Sequence, residues 1–423
     1  MRILHIVGTM DPAAGGPTEA IRMLVRHQPE GYRAEIATLD APEAGFLAEL
    51  ASAGLVVHAL GAPGSRGVGR NRWYSARMGT WLRANRGRFD GALVHGLWEY
   101  TGLAARLNLT GFGSLLGATG ARLPYAIFPH GMLDPYFRRA APFKHLKKAL
   151  YWLLVEFWNL RKANFTLFTT SMEARLARQS FWPAVWRPRV TALGAESPPA
   201  DEPTLLAAFQ ERCPELRSRR FLLFLGRIDP KKGCDLLVRA FAQVCAEDPE
   251  RTHDLHLVMA GPDPAGWGPR LCDRADTEAA VAERVHWPGM LTGPAKWGAF
   301  AACEAFVLPS HQENFGIAVV EALASGRGVL ISDQVNLAAD LAADGCGLVE
   351  ADTLAGTAQL LRRWLALDSE AREAMERQAR LSFRARYSME RNAARVLQLF
   401  APATAADAAA ATPASDTPVP EAR

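Results

Sequence analysis

The stretch LPSHQENFGIAVVEALASG, residues 308–326, sets the end of a short apolar run against a polar loop and then a helix of small side chains. The run 304–308 reads as a strand buried on both faces, and residues 319–323 read as helix, with Phe315 and Gly316 at its start. Free backbone N–H groups at such a start can hold an anion or sugar oxygens, which makes Asn314, Phe315 and Gly316 candidate ligand contacts. Two carboxylates frame the segment: Glu313 in the loop and Glu321 on the helix, expected to face the same cleft. In an open parallel sheet ligands bind beyond the carboxyl ends of the strands, where this loop stands.

The same alternation of short apolar run, loop and amphipathic segment extends in both directions, the signature of βα units and parallel sheets. Strands are expected at 2–7, 34–39, 55–60, 91–95, 125–128 and 165–169, and again at 221–225, 255–260, 304–308, 328–331 and 347–349. A chain of 423 residues exceeds one ordinary core. The expected fold is therefore α/β, with two Rossmann-like doubly wound domains facing a central cleft. Residues 1–195 form the first domain, and a Pro-rich, charged linker opens the second, 196–385. A charged helical segment follows at 369–400, whose last part, 386–401, is expected to pack back on the first domain. The Ala-, Pro- and Thr-rich tail 402–423 has no periodicity and is expected to be disordered.

A second motif, FLGRIDPKKGCDLLVRAF at 224–241, follows another strand. Arg227 and Lys232 are placed to converge on one anion, and fixed cations stabilise charge that develops on a departing diphosphate. No Gly-Lys-Ser/Thr follows the glycine spacing of a triphosphate-cradling loop, so ATP hydrolysis is not indicated. In the first domain, GTMDPAAGGPTEAIRML at 8–24 puts Gly15 and Gly16 ahead of a helix starting near Pro17, where a ligand can approach the backbone closely. His130, in FPHGMLDP, and His95, in LVHGLWEY, each stand at a strand's carboxyl end and are cleft candidates.

On these residues the chain resembles the GT-B retaining glycosyltransferases of family 4, which build bacterial exopolysaccharide, capsule and lipopolysaccharide. The likeness runs over nearly the whole chain and is strongest at the Glu313/Glu321 pair and at Gly226, Arg227, Lys232 and Gly233. It implies a nucleotide-sugar donor, UDP- or GDP-linked, and a glycan or lipid-linked acceptor. By the same resemblance Glu313 contacts donor-sugar hydroxyls, Glu321 holds the ribose, Arg227 and Lys232 meet the diphosphate, His130 lies at the reacting centre, and the Gly15–Gly16 loop closes over the phosphates. The implied mechanism retains the anomeric configuration, with the departing phosphate taking the acceptor proton. Two departures are visible: Gly326-Arg327-Gly328-Val329 replaces the family's Gly-x-Pro-Val, and ISDQVNLAADL replaces a Gly-rich segment.

Other features bound the function. No Asp-x-Asp occurs and no histidine pair has helical metal-ligand spacing, so neither a metal nor another cofactor is expected. The six cysteines have irregular spacing and read as reduced thiols. A net charge of +4 spread over 48 basic and 44 acidic residues does not suit nucleic acid. The opening residues read as a strand rather than a signal peptide, and no apolar run reaches the roughly 20 residues of a bilayer span. A cytoplasmic protein is expected. Its basic, aromatic stretch 136–162 is a candidate contact with the inner-membrane surface. Two other functions fit the fold: a non-catalytic nucleotide-sugar-binding component of a polysaccharide assembly complex, and a GT-B nucleotide-sugar epimerase.

Overall fold

The computed structural model describes residues 1–63, 74–110, 122–136, 138, 142–274, 281 and 283–401; the tail expected to be disordered lies outside them. Two parallel sheets organise the chain. The first holds β1 (Arg2–Val7), β2 (Arg33–Thr38), β3 (Val57–Ala59), β4 (Gly91–His95), β5 (Tyr125–Phe128), β6 (Phe165–Phe168) and β7 (Pro188–Val190) in the order β3-β2-β1-β4-β5-β6-β7. The second holds β8 (Arg220–Leu225), β9 (Leu255–Ala260), β10 (Val285–Gly289), β11 (Ala305–Leu308), β12 (Gly328–Ser332) and β13 (Gly347–Glu350) in the order β10-β9-β8-β11-β12-β13. Every residue of β4, β5, β6, β11 and β12 is buried. Helices cover both faces, which is why these strands read as continuous apolar runs rather than as alternating ones.

Counted from its own first strand, the second sheet has the order 3-2-1-4-5-6 and the first 3-2-1-4-5-6-7, and in each the order of the strands reverses between the first and the fourth. That reversal opens a crevice beyond β1 and β4 in one half, and beyond β8 and β11 in the other. The expected fold class is thus the observed one. Two strands escaped the sequence reading, β7 and β10. Both are terminal strands of their sheets. β7 opens on Pro188 and β10 contains Pro288, and proline removes a ladder donor that only a sheet edge tolerates.

The segment 196–220, read as a Pro-rich linker leading into a helix, holds the helix Glu202–Arg212, capped by Asp201 accepting from the Thr204 N–H. It packs on the helix Gly293–Ala302 so closely that a Cβ at Gly298 would lie 2.0 Å from the Leu205 carbonyl oxygen. The segment 369–400 is not one helix. It divides into Ser369–Ser382, a π-helical turn Phe383–Tyr387, and Met389–Gln398. The break follows from a parallel bridge between Ala195 and Ser388, in which the Ala195 N–H donates to Tyr387 O and the Met389 N–H donates to Ala195 O. Ser388 is drawn into extended backbone and cannot continue the helix. Met389–Gln398 then packs on the helix Gly16–Arg26 of the first domain, where Asn392 donates to Leu193 O.

Candidate active site in the interdomain cleft

Between the two crevices lie two adjoining cavities of about 410 and 350 Å³. The larger takes Gly16 and His130 from the first domain and Lys232, Glu313, Asn314 and Glu321 from the second; Phe315 and Gly316 also line it. The smaller holds Arg227, Lys296 and Glu321. Gly15 lines neither, although at φ 88° it caps the helix Gly16–Arg26.

The helix Ile317–Ala324 starts where the sequence places it. Its N-cap is Gly316 at φ 72°, a conformation that suits a residue without Cβ. Glu313 sits in the preceding loop, bridged to Val335, and its carboxylate accepts from the Lys232 ammonium. Arg227 and Lys232 line different, adjoining cavities. Lys232 is engaged by Glu313 in the larger cavity, whereas Arg227 is exposed at the smaller one and makes no ion pair among the described residues. The turn that ends at Lys232 requires Gly233, since at φ 67° its Cβ would stand 2.1 Å from the Pro309 carbonyl oxygen. This close approach locks the β8 loop to the β11 loop.

Glu321 is 9% exposed. Burial raises its pKa, an effect opposed by the Lys296 ammonium 2.6 Å away. Lys296 was not found from sequence, yet a signal existed. It lies in the first turn of the helix Gly293–Ala302, where the macrodipole disfavours a cation, and such local conflicts gather at functional sites. Lys296→Met should leave Glu321 without its counter-charge and raise the KM for a nucleotide donor about tenfold, discounted for partial exposure of the pair. Donor titration of the two proteins checks this.

His130 has φ 51° and stacks on Phe128 at 3.8 Å between ring centres. Its Nε2 lies 2.9 Å from His95 Nδ1, so the two histidines singled out from sequence touch. The adjoining turn is held by Glu173, another residue sequence reasoning missed. Its buried carboxylate accepts from the N–H of Gly131, the N–H of Thr169 and the Thr169 hydroxyl. Burial raises its pKa against these donors. The Thr170-x-x-Glu173 capping box was the available clue: Thr170 caps the helix Ser171–Ala177, but the glutamate reaches across to the His130 turn as well. Contacts cross the cleft beside this turn. Asn314 donates to the Thr169 hydroxyl at 3.4 Å, and Gln312 donates to Asp134 at 2.8 Å.

Residues 210–382 match the model of the glycosyl transferases group 1, and residues 15–194 match that of a glycosyl transferase 4-like domain. Each half of the chain thus matches a glycosyltransferase domain model. Among solved structures, a sucrose-phosphate synthase from Thermosynechococcus elongatus aligns over 95% of this chain and 98% of its own, with TM-score 0.69 and 18% identity. Anabaena HepE, in complex with UDP and glucose, aligns over 94% and 99%, with TM-score 0.68 and 15% identity. WaaG, a glycosyltransferase involved in lipopolysaccharide biosynthesis, aligns over 95% and 99%, with TM-score 0.59 and 16% identity. Among curated relatives, D-inositol 3-phosphate glycosyltransferase 2 of Catenulispora acidiphila is 36% identical over 129 residues, which are 29% of each chain. The match thus spans under a third of that relative's length. Both cavities lie between the two halves at the carboxyl end of β8, and the larger also meets the carboxyl ends of β5, β6 and β11.

Proposed function

We propose that the protein is a retaining, metal-independent hexosyltransferase, moving a sugar from a UDP- or GDP-linked donor to a glycan or lipid-linked acceptor of the cell surface. The observation that carries this reading is the division of charge in the cleft. Carboxylates and cations of the second domain, Glu313, Glu321, Lys232, Arg227 and Lys296, face His130 and the helix start at Gly16. Carboxylates suit sugar and ribose hydroxyls, and the cations suit a diphosphate. UDP and glucose bound to HepE support a nucleotide-sugar donor on this fold.

In this mechanism the bond from the anomeric carbon to the phosphate oxygen breaks while the acceptor oxygen bonds to that carbon on the same face. The acceptor proton passes to the departing phosphate oxygen. Lys232 leaves Glu313 for the diphosphate, and Arg227 closes on it from the smaller cavity, so that both stabilise the developing charge. Glu313, freed of its partner, accepts from a sugar hydroxyl.

The test is a screen of UDP- and GDP-sugars, followed by release of nucleoside diphosphate. The expected outcome is release from one donor that persists in excess EDTA and disappears in Arg227→Ala. Release without a new glycosidic product in the presence of acceptor would point to an epimerase, and binding of a donor without any release to a non-catalytic role.

A lipid-linked acceptor is supported by the surface of 142–162. No helix among the described residues is long and apolar enough to cross a membrane. Trp152 turns inward, but Phe143, Leu146, Leu150, Leu154 and Trp158 are exposed, by 85% at Phe143 and 64% at Leu154, beside exposed Lys147, Arg161 and Lys162. An exposed apolar stripe flanked by cations fits an anionic lipid surface. Leu150→Glu with Leu154→Glu should abolish sedimentation with vesicles containing phosphatidylglycerol and leave binding of the nucleotide donor unchanged.

A further inference from the structure

Three histidines form a continuous chain inward from the cleft. His5 lies within β1, His95 ends β4, and His130 follows β5, three neighbouring strands of one sheet. His5 Nδ1 is 2.9 Å from His95 Nε2, and His95 Nδ1 is 2.9 Å from His130 Nε2. The rings lie nearly parallel, with centres 5.1 and 5.2 Å apart. Among the described residues no carboxylate is hydrogen-bonded to any of the three. Burial lowers the pKa of His5 to about 4 and of His130 to about 3, and holds His95 well below its usual value. Each ring is therefore a neutral imidazole carrying one N–H.

Two contacts shared by three such rings allow only two arrangements, because each contact needs one donor and one acceptor. Either every ring is protonated at Nδ1 and the chain donates outward, or every ring is protonated at Nε2 and it donates inward. The inner end decides between them. His5 is 1% exposed, and its Nε2 has no hydrogen bond among the described residues. The inward arrangement would strand a buried N–H there, which proteins avoid more strictly than an unpaired acceptor. The outward arrangement leaves only a lone pair. His130 then has its proton on Nδ1, the ring nitrogen not used in the chain, and its ring lines the larger cavity.

We propose that His5 and His95 are positioning residues that fix His130 as the Nδ1–H tautomer, making it a hydrogen-bond donor to an oxygen of the bound sugar. The inference deepens the transferase reading and rests on it for the identity of the acceptor oxygen. A donor held in one tautomer costs no reorganisation when the sugar binds, and a neutral one does not compete with Lys232 and Arg227 for the phosphates. His5 and His95 act only through His130.

The test begins on the unliganded, full-length protein labelled with nitrogen-15 histidine. Long-range proton–nitrogen correlation spectra near neutral pH distinguish protonated from bare ring nitrogens, and the His130 signals are those lost in His130→Asn. The expected spectrum has Nδ1 protonated and Nε2 bare. In His5→Phe the single form should give way to a mixture, with kcat falling roughly tenfold, the worth of about one hydrogen bond, and KM little changed. His95→Asn, whose amide replaces the outward donor, should keep the wild-type tautomer, whereas His95→Phe should lose it. Protonation of wild-type His130 at Nε2 or at both nitrogens overturns the proposal, as does a His5→Phe spectrum and kcat identical to wild type. The wild-type spectrum decides even where a variant fails to fold. Absence of turnover in the wild type would count against the transferase reading alone.

Discussion

Lys232→Ala is expected to lower kcat for donor turnover by about 10²–10³-fold, the effect of deleting one fixed stabiliser of developing charge. In the unliganded protein the same lysine is paired with Glu313, so the two side chains are coupled before substrate arrives. Glu313→Gln should therefore cost less than its contacts to the sugar suggest, because it also releases Lys232 for the diphosphate. The double variant should fall well short of the product of the single effects. A double-mutant cycle on kcat and on kcat/KM measures this. Strict additivity would mean that lysine and glutamate act on separate parts of the donor, and that their pairing carries no functional exchange.

The second large effect concerns stability. Glu156 lies in the π-helical turn Trp152–Glu156 and is 1% exposed. Its carboxylate accepts from the Trp98 N–H at 2.6 Å and from the Asn159 amide at 3.0 Å. Burial outweighs these donors and raises its pKa from 4.5 to about 7. Between those values the folded protein holds a proton that the unfolded chain has released. This contribution to stability is fully present below pH 4.5 and is lost as pH rises through about 7, a change on the order of 3 kcal/mol. Glu156→Gln should remove that slope and be the more stable protein at about pH 8. Gln also has a place to bond: Asn159 Oδ1 is a buried acceptor without a partner, and a flip of the Asn159 amide would present it to the new NH₂ group. Denaturant unfolding of both proteins across the pH range checks the prediction; equal slopes would show that Glu156 is already ionised in the fold.

The fold was legible because the central strands are buried on both faces and leave long apolar signatures. Two of the sheet-end strands were not, since β7 and β10 carry proline, which sequence reasoning counts against a strand. The site shows a similar division. Glu313, Lys232 and His130 stand in loops that follow strand ends, Glu321 lies on the helix that follows the Glu313 loop, and all four line one cavity. Glu173 and Lys296 support the site from neighbouring helices, so neither the loop motifs nor the strand ends point to them. The position of Lys232 required tertiary information of another kind. Nothing in the spacing of FLGRIDPKKG says that its ammonium will turn to a carboxylate 81 residues away rather than join Arg227.

The chain passes between the domains at two places, Ala195 and Ser388, and these two crossings are hydrogen-bonded to each other. Held side by side, the two crossings act as one pin, a single point at which the halves are joined. The backbone itself is packed tightly at the pin, since a Cβ at Gly194 would lie 2.6 Å from the Met389 Cα. A side chain placed there would act on the join between the halves without touching either substrate.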